Sequence, residues 1–97
     1  DVCNKLGIQL CHISTDYVFD GKKSVPYTPF DCPNPINFYG QSKLAGEKYI
    51  HWICNKFYIV RTSWLYGVKG KNFVKTIIEI SKEKDVIKVV DDQIGSP

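Results

Sequence analysis

The sequence predicts an α/β fold: a mostly parallel sheet with crossover helices. Three observations carry that expectation. Short apolar runs of strand length alternate with segments of helical periodicity, in the order strand, long loop, helix, strand, loop, helix, strand. The 97 residues are enough for one compact unit and not for two. The composition, 43% apolar, 24% charged and 13% aromatic, is that of an ordinary folded chain, and no internal repeat or low-complexity tract occurs.

Residues 1–5 read as the tail of a helix that ends at Gly7, a favourable C-cap residue. Residues 8–14 form a mostly apolar run of strand length. Asp20-Gly21-Lys22-Lys23 is a turn signal. Pro26, Pro29, Pro33 and Pro35 follow within ten residues, which predicts an irregular surface loop, since proline removes donors and restricts the preceding residue. A helix is predicted from Asn37, whose side chain can cap the first turn, to about Asn55. Tyr39, Lys43, Gly46, Tyr49, Ile50 and Ile53 recur along it at three- and four-residue steps. Residues 57–62 are rich in aromatic and β-branched types and read as the strongest strand. Phe73, Ile77, Ile78 and Ile80 predict a second helix closing at 82–84, and residues 86–90 a last short strand before the turn-prone Gly95-Ser96-Pro97.

Thirteen Lys and Arg against ten Asp and Glu leave a formal charge of +3. Arg61 is the only arginine and the lysines are scattered, so a nucleic-acid partner is not expected. No apolar run approaches the ~18 residues that span a bilayer, and residues 1–5 lack the basic start and apolar core of a signal peptide. The four cysteines are widely spaced, without the two-residue separation of zinc or redox motifs. Cys11 and Cys54 lie in apolar stretches, where a thiol behaves as a small hydrophobe. A reduced, cytoplasmic protein is the expectation, and no metal-ligand set is predicted.

In a parallel sheet ligands sit beyond the carboxyl ends of the strands. Ser14-Thr15-Asp16-Tyr17 and Thr62-Ser63-Trp64 each follow an apolar run, so both are expected on one functional rim. Tyr39 and Lys43 are four apart on the predicted helix and share a face. A free phenol, with a pKa near ~10, is a poor acid at neutral pH. A neighbouring ammonium favours its phenolate, and such a tyrosine can exchange a proton with a carbonyl oxygen as hydride moves to or from its carbon. The lysine can reach past it towards a cofactor ribose. By spacing alone the pair is a weak signal, since a packed tyrosine and a solvated lysine give the same pattern. Thr15 is the expected third hydroxyl, or else serves loop backbone groups. Asp16 either binds a sugar hydroxyl or caps a turn, and Tyr17 lies at the same rim. Trp64 is either a wall for a sugar face or a core residue. Glu47 reads as an exposed i,i+4 partner of Lys43, His12 as structural, and His51 as having no carboxylate partner.

Four ordered blocks carry a resemblance. They are Ser14-Thr15-Asp16-Tyr17-Val18-Phe19-Asp20-Gly21; Pro35-x-Asn37-x-Tyr39-Gly40-x-Ser42-Lys43-x-x-Gly46-Glu47; Arg61-Thr62-Ser63-Trp64-x-Tyr66-Gly67; and Asp92-Gln93-x-Gly95-Ser96-Pro97. Together they resemble the dTDP-4-dehydrorhamnose reductase family of extended short-chain dehydrogenases/reductases, over essentially the whole segment. The resemblance implies a Rossmann-like sheet and reduction of the 4-keto group of dTDP-4-dehydro-L-rhamnose to dTDP-L-rhamnose by NADPH or NADH. It casts Tyr39 as proton donor, Lys43 as its partner and ribose ligand, and Thr15 as the helper hydroxyl. Asp16, Tyr17 and Trp64 would line the sugar site. Some relatives place Mg2+ at a subunit interface, and a homodimer of the full-length protein fits the family.

No Gly-x-Gly-x-x-Gly occurs anywhere, although a dinucleotide pyrophosphate needs such a turn. Residues 1–97 are therefore expected to be the central to C-terminal part of an NAD(P)-binding domain, without the glycine-rich turn or the substrate-domain tail, and inactive alone. Thr15-Asp16-Tyr17 lacks the Asp-Glu that follows this threonine in 4,6-dehydratases. Another sugar-nucleotide epimerase or oxidoreductase, and a non-catalytic relative such as the regulatory subunits of methionine adenosyltransferase, remain as alternatives.

Overall fold

The structure is a computed structural model that describes residues 1–93 and 95. It divides into two compact units, Asp1–Thr62 and Ser63–Pro97, where chain length had predicted one.

The first unit opens with α1 (Val2–Lys5), closed by a left-handed Gly7 at φ 66°. The Gly7 N–H donates to Asn4 O and the Ile8 N–H to Cys3 O, the paired bonds that satisfy the last carbonyls of a helix ended by glycine. Strand β1 spans Leu10–Thr15, starting two residues later than the apolar run suggested. A single 3-10 turn, Asp16–Val18, follows directly. The proline-rich loop comes next and has its own anchors. Asp20 accepts hydrogen bonds from the Lys22 N–H, the Tyr27 hydroxyl and Asn34 Nδ2. The Lys23 ammonium, with the Thr28 N–H, holds the Asp31 carboxyl down to about 2.

Helix α2 (Phe38–Ile53) begins where expected: Asn37 Oδ1 accepts from the Gly40 N–H at 2.7 Å. It ends at Cys54, which is buried. Strand β2 (Phe57–Thr62) then runs parallel to β1, in a register that sets Leu10 beside Phe57 and Thr15 beside Thr62. β1, α2 and β2 thus form the predicted strand–crossover–strand unit of a partial Rossmann-like fold.

Alternation along the strands separates two faces. Ser14 and Arg61 turn towards α2, where both reach Glu47, and Phe57 meets the His51 ring at 4.7 Å. Cys11, Ile13, Tyr58 and Val60 point the other way and are exposed. Cys11 therefore departs from its expected role as a small core hydrophobe: it lies on the strand face opposite α2. All four cysteines are free thiols.

In the second unit, Asn72 Oδ1 caps α3 (Phe73–Ser81) by accepting from the Lys75 N–H, and its Nδ2 donates to Gly67 O. Lys75 Nζ donates to the carbonyls of Val68 and Gly70, tying the loop to the helix. Residues 86–90 are not a strand; among the described residues the sheet consists of β1 and β2 alone. A parallel strand exists only through hydrogen bonds to a neighbour, which β-propensity cannot replace. The predicted terminal turn includes Ser96 and Pro97, which lie outside the described residues.

Gly40 decides how closely α2 approaches the rim. A Cβ at this position would stand 2.1 Å from the Tyr17 carbonyl oxygen and 3.0 Å from Pro35 Cβ. The glycine serves a close approach of α2 to the Tyr17 backbone. Gly40→Ala should cost about 1–3 kcal/mol, the usual range for overpacking, read as a lower midpoint in denaturant unfolding. A midpoint equal to that of the unaltered protein would show that the contact yields freely.

Candidate active site

The carboxyl end of β1, the 3-10 turn and the first half of α2 meet in the first unit. They bring together Thr15, Asp16, Tyr17, Tyr39 and Lys43. Thr15, the last residue of β1, is 5% exposed. Its Oγ1 accepts from the Tyr17 N–H at 3.3 Å and donates to Asp16 Oδ1 at 3.1 Å. The local role weighed for this threonine is thus present. Its proton is engaged with Asp16, and a second oxygen lone pair remains for another donor. Asp16 is exposed and also starts the turn, so its carboxylate helps to shape the rim.

Tyr17 and Tyr39 are each half-exposed and meet edge to face, with ring centroids 5.9 Å apart at 74°. Tyr39 is therefore held at the rim and not packed beneath it. One helical turn on, Lys43 Nζ donates to Ile13 O at 2.9 Å, across the carboxyl end of β1. That bond fixes the side chain along the strand end and leaves two of its three N–H groups for a ligand.

Trp64 belongs to the second unit. It has φ 45°, a left-handed conformation uncommon outside glycine. A Cβ on Gly95 would lie 2.8 Å from the indole Cζ2, so the glycine lets backbone approach the ring. Half of the Trp64 surface is exposed, which sets aside the reading of a fully buried core residue.

The residue that sequence reasoning misplaced is Glu47. It is 2% exposed and does not form the surface pair expected with Lys43. Its Oε1 accepts from Ser14 Oγ at 2.5 Å and Arg61 Nε at 3.0 Å, and its Oε2 from Arg61 Nη2 at 2.7 Å. The Arg61 guanidinium also lies 5.0 Å above the Phe19 ring. One signal was available: the chain's single arginine sits inside its most strand-like run, and a charge in such a place needs a partner. His12, read as structural, has a buried Nε2 without a hydrogen-bond partner among the described residues. No three His, Cys, Asp or Glu residues gather to hold a metal among the described residues. No described helix is long and apolar enough to cross a membrane.

Burial pushes the Glu47 carboxyl up, but the hydrogen bonds from Arg61 and Ser14 and the Arg61 charge outweigh it, leaving the group below the ordinary glutamate value. Because the folded-state value is the lower one, this stabilisation is complete above the unfolded value of ~4.3 and is lost as pH falls through the folded value. Glu47→Gln should lower stability by roughly 3 kcal/mol at neutral pH, the lower end of the cost of breaking a buried pair, since Arg61 keeps 23% of its side chain exposed. It should also flatten the decline of stability below pH ~4.3. Denaturant unfolding followed by circular dichroism between neutral and acid pH measures both, and parallel pH curves for the two proteins would contradict this account.

Comparison with known proteins places the chain in a family. A family model described as the RmlD substrate binding domain matches residues 1–97. The chain is 46% identical over 94 residues to the dTDP-4-dehydrorhamnose reductase of Escherichia coli (strain K12), covering 97% of this chain and 31% of that protein. A Bacillus anthracis dTDP-4-dehydrorhamnose reductase solved in complex with NADP superimposes with a TM-score of 0.94 at 55% identity, covering 98% of this chain and 34% of the other. An orthologue from Clostridium acetobutylicum gives 0.92 at 50% identity, with the same coverages. The chain thus spans about a third of the length of these relatives. With its whole length matched by one model and its fold by two solved relatives, the chain belongs to the RmlD substrate binding domain family.

Proposed function

We propose that the chain is the proton-donating, sugar-binding part of an NAD(P)H-dependent dTDP-4-dehydrorhamnose reductase. The supporting observation is that Tyr39 stands half-exposed at the carboxyl end of β1 while Lys43, one turn along the same helix, is tied to the strand end beside it. This is the arrangement that a carbonyl reductase needs: an accessible phenol and a fixed cation on one rim.

The residues present fit a nicotinamide coenzyme at its ribose end. Lys43 keeps two N–H groups and Tyr39 a hydroxyl, suited to ribose oxygens. The 97 residues contain no glycine-rich turn for the pyrophosphate. When bound, NADPH or NADH supplies the hydride that reduces the 4-keto carbon. Tyr39 gives its phenolic proton to the oxygen of that carbonyl as it becomes a hydroxyl. The Lys43 ammonium favours the phenolate left behind. Thr15 turns its hydroxyl from Asp16 to the substrate oxygen, and Asp16 and Tyr17 border the sugar. Among the described residues no three His, Cys, Asp or Glu side chains gather to hold a magnesium ion.

The full-length protein should oxidise NADPH or NADH only when the 4-keto sugar nucleotide is supplied. Tyr39→Phe should cut kcat by about 10²-fold or more while leaving the fold intact, because it removes the proton donor alone. Steady-state absorbance of the reduced coenzyme measures this, and near-normal turnover would end the assignment. Lys43→Met should raise the coenzyme KM and lower kcat together; unchanged values for both would remove its dual role. Residues 1–97 alone should show no turnover, since little in them orients a coenzyme against the carbonyl. Coenzyme titration with a direct assay of that segment tests the point, and tight binding with turnover would refute it.

A further inference from the structure

We propose that Glu47 is a positioning residue for proton transfer: its buried carboxylate sets where Tyr39 and Lys43 stand relative to Thr15. The inference rests on Tyr39 being the proton donor and adds a group that touches neither substrate nor coenzyme.

The geometry points to this role. Tyr39 is half-exposed with an edge contact to Tyr17, and Lys43 is tied to the strand end by one hydrogen bond, so where both stand also depends on what fixes α2 beneath them. Glu47 lies one turn beyond Lys43 and two beyond Tyr39, on the same side of the helix, and is almost fully buried. Both its oxygens are engaged. Ser14, the donor on the strand side, immediately precedes Thr15, so one hydrogen bond links the tyrosine helix to the end of β1. Arg61, which grips the carboxylate through two nitrogens, is the register partner of Ser14 on β2. Its guanidinium lies over Phe19, the residue that closes the 3-10 turn bearing Asp16 and Tyr17. The carboxylate therefore joins α2 directly to β1 and β2, and through Arg61 to the 3-10 turn. A bidentate charged pair also restricts rotation as well as distance, which apolar packing does less sharply. Displacement of a reacting group by about 1 Å can cost on the order of 10²-fold in rate.

The test uses the full-length protein and separates positioning from stability. Glu47→Gln should lower kcat by about 10- to 100-fold while sugar and coenzyme KM values stay within about threefold. The double variant Glu47→Leu with Arg61→Met replaces the pair by apolar groups and should recover thermal stability without recovering kcat. Ser14→Ala removes only the link to the strand and should lower kcat by about three- to tenfold in a protein that still folds. Recovery of kcat together with stability in the double variant would reduce Glu47 to a stabilising residue and overturn the proposal. Unchanged kcat in a folded Glu47→Gln or Ser14→Ala protein would do the same. Tyr39→Phe, measured in parallel, distinguishes the two failures: an inactive Tyr39→Phe with normal Glu47 variants sinks only this inference, whereas an active Tyr39→Phe sinks the reading on which it rests.

Discussion

One buried carboxylate organises the first unit. Val18 and Cys54 are its buried apolar side chains, while Ser14, Thr15 and Glu47 are buried and polar. A short helix–sheet unit of this kind cannot rely on apolar area alone, because a small chain buries a modest fraction of its surface. The Glu47 charge must then be compensated in place, and Arg61 and Ser14 do so with three hydrogen bonds. Such a pair contributes less to net stability than to a definite arrangement, since desolvation offsets much of the attraction. What it secures here is the register of α2 on the sheet.

That register has consequences at the rim. With α2 fixed through Glu47, the helix start reaches the 3-10 turn so closely that only glycine fits at position 40 against the Tyr17 carbonyl. The Asn37 cap then ends the proline-rich loop at this point, and Tyr39 emerges beside Tyr17. Lys43 crosses back to the Ile13 carbonyl. Tyrosine, lysine and threonine are brought to one edge by backbone contacts and a buried ion pair, with Tyr39 half-exposed and Thr15 buried. The opposite sheet face, carrying Ile13, Tyr58 and Val60, is apolar and open in the described residues. Parallel sheets are ordinarily covered on both sides, in keeping with a chain that spans about a third of its relatives' length.

Much of this was legible in the residues. Helical periodicity and the Asn37 cap gave α2 to within two residues of its observed end, and the β-branched run gave β2. Tyr39 and Lys43 could be placed on one face because helical spacing is a local property. Non-local matters were not legible in this way. Residues 86–90 have the composition of a strand, but strand formation depends on a partner that composition does not supply. Cys11 looked like core because its neighbours are apolar, and which strand face α2 covers is decided by tertiary packing. Glu47 looked like a surface residue because Lys43 stands at i,i+4 spacing on the same helix, whereas its true partner, Arg61, is 14 residues away on the next strand.

The most direct measurement of the central claim is a double-mutant cycle between Glu47 and Arg61, using Glu47→Gln, Arg61→Met and the combination, read by denaturant unfolding at neutral pH. A clamp of the kind described predicts a coupling of about 2 kcal/mol or more, within the range for residues sharing a buried network. A coupling near zero, within the ~0–1 kcal/mol typical of exposed ion pairs, would show that the carboxylate does not hold the helix to the sheet.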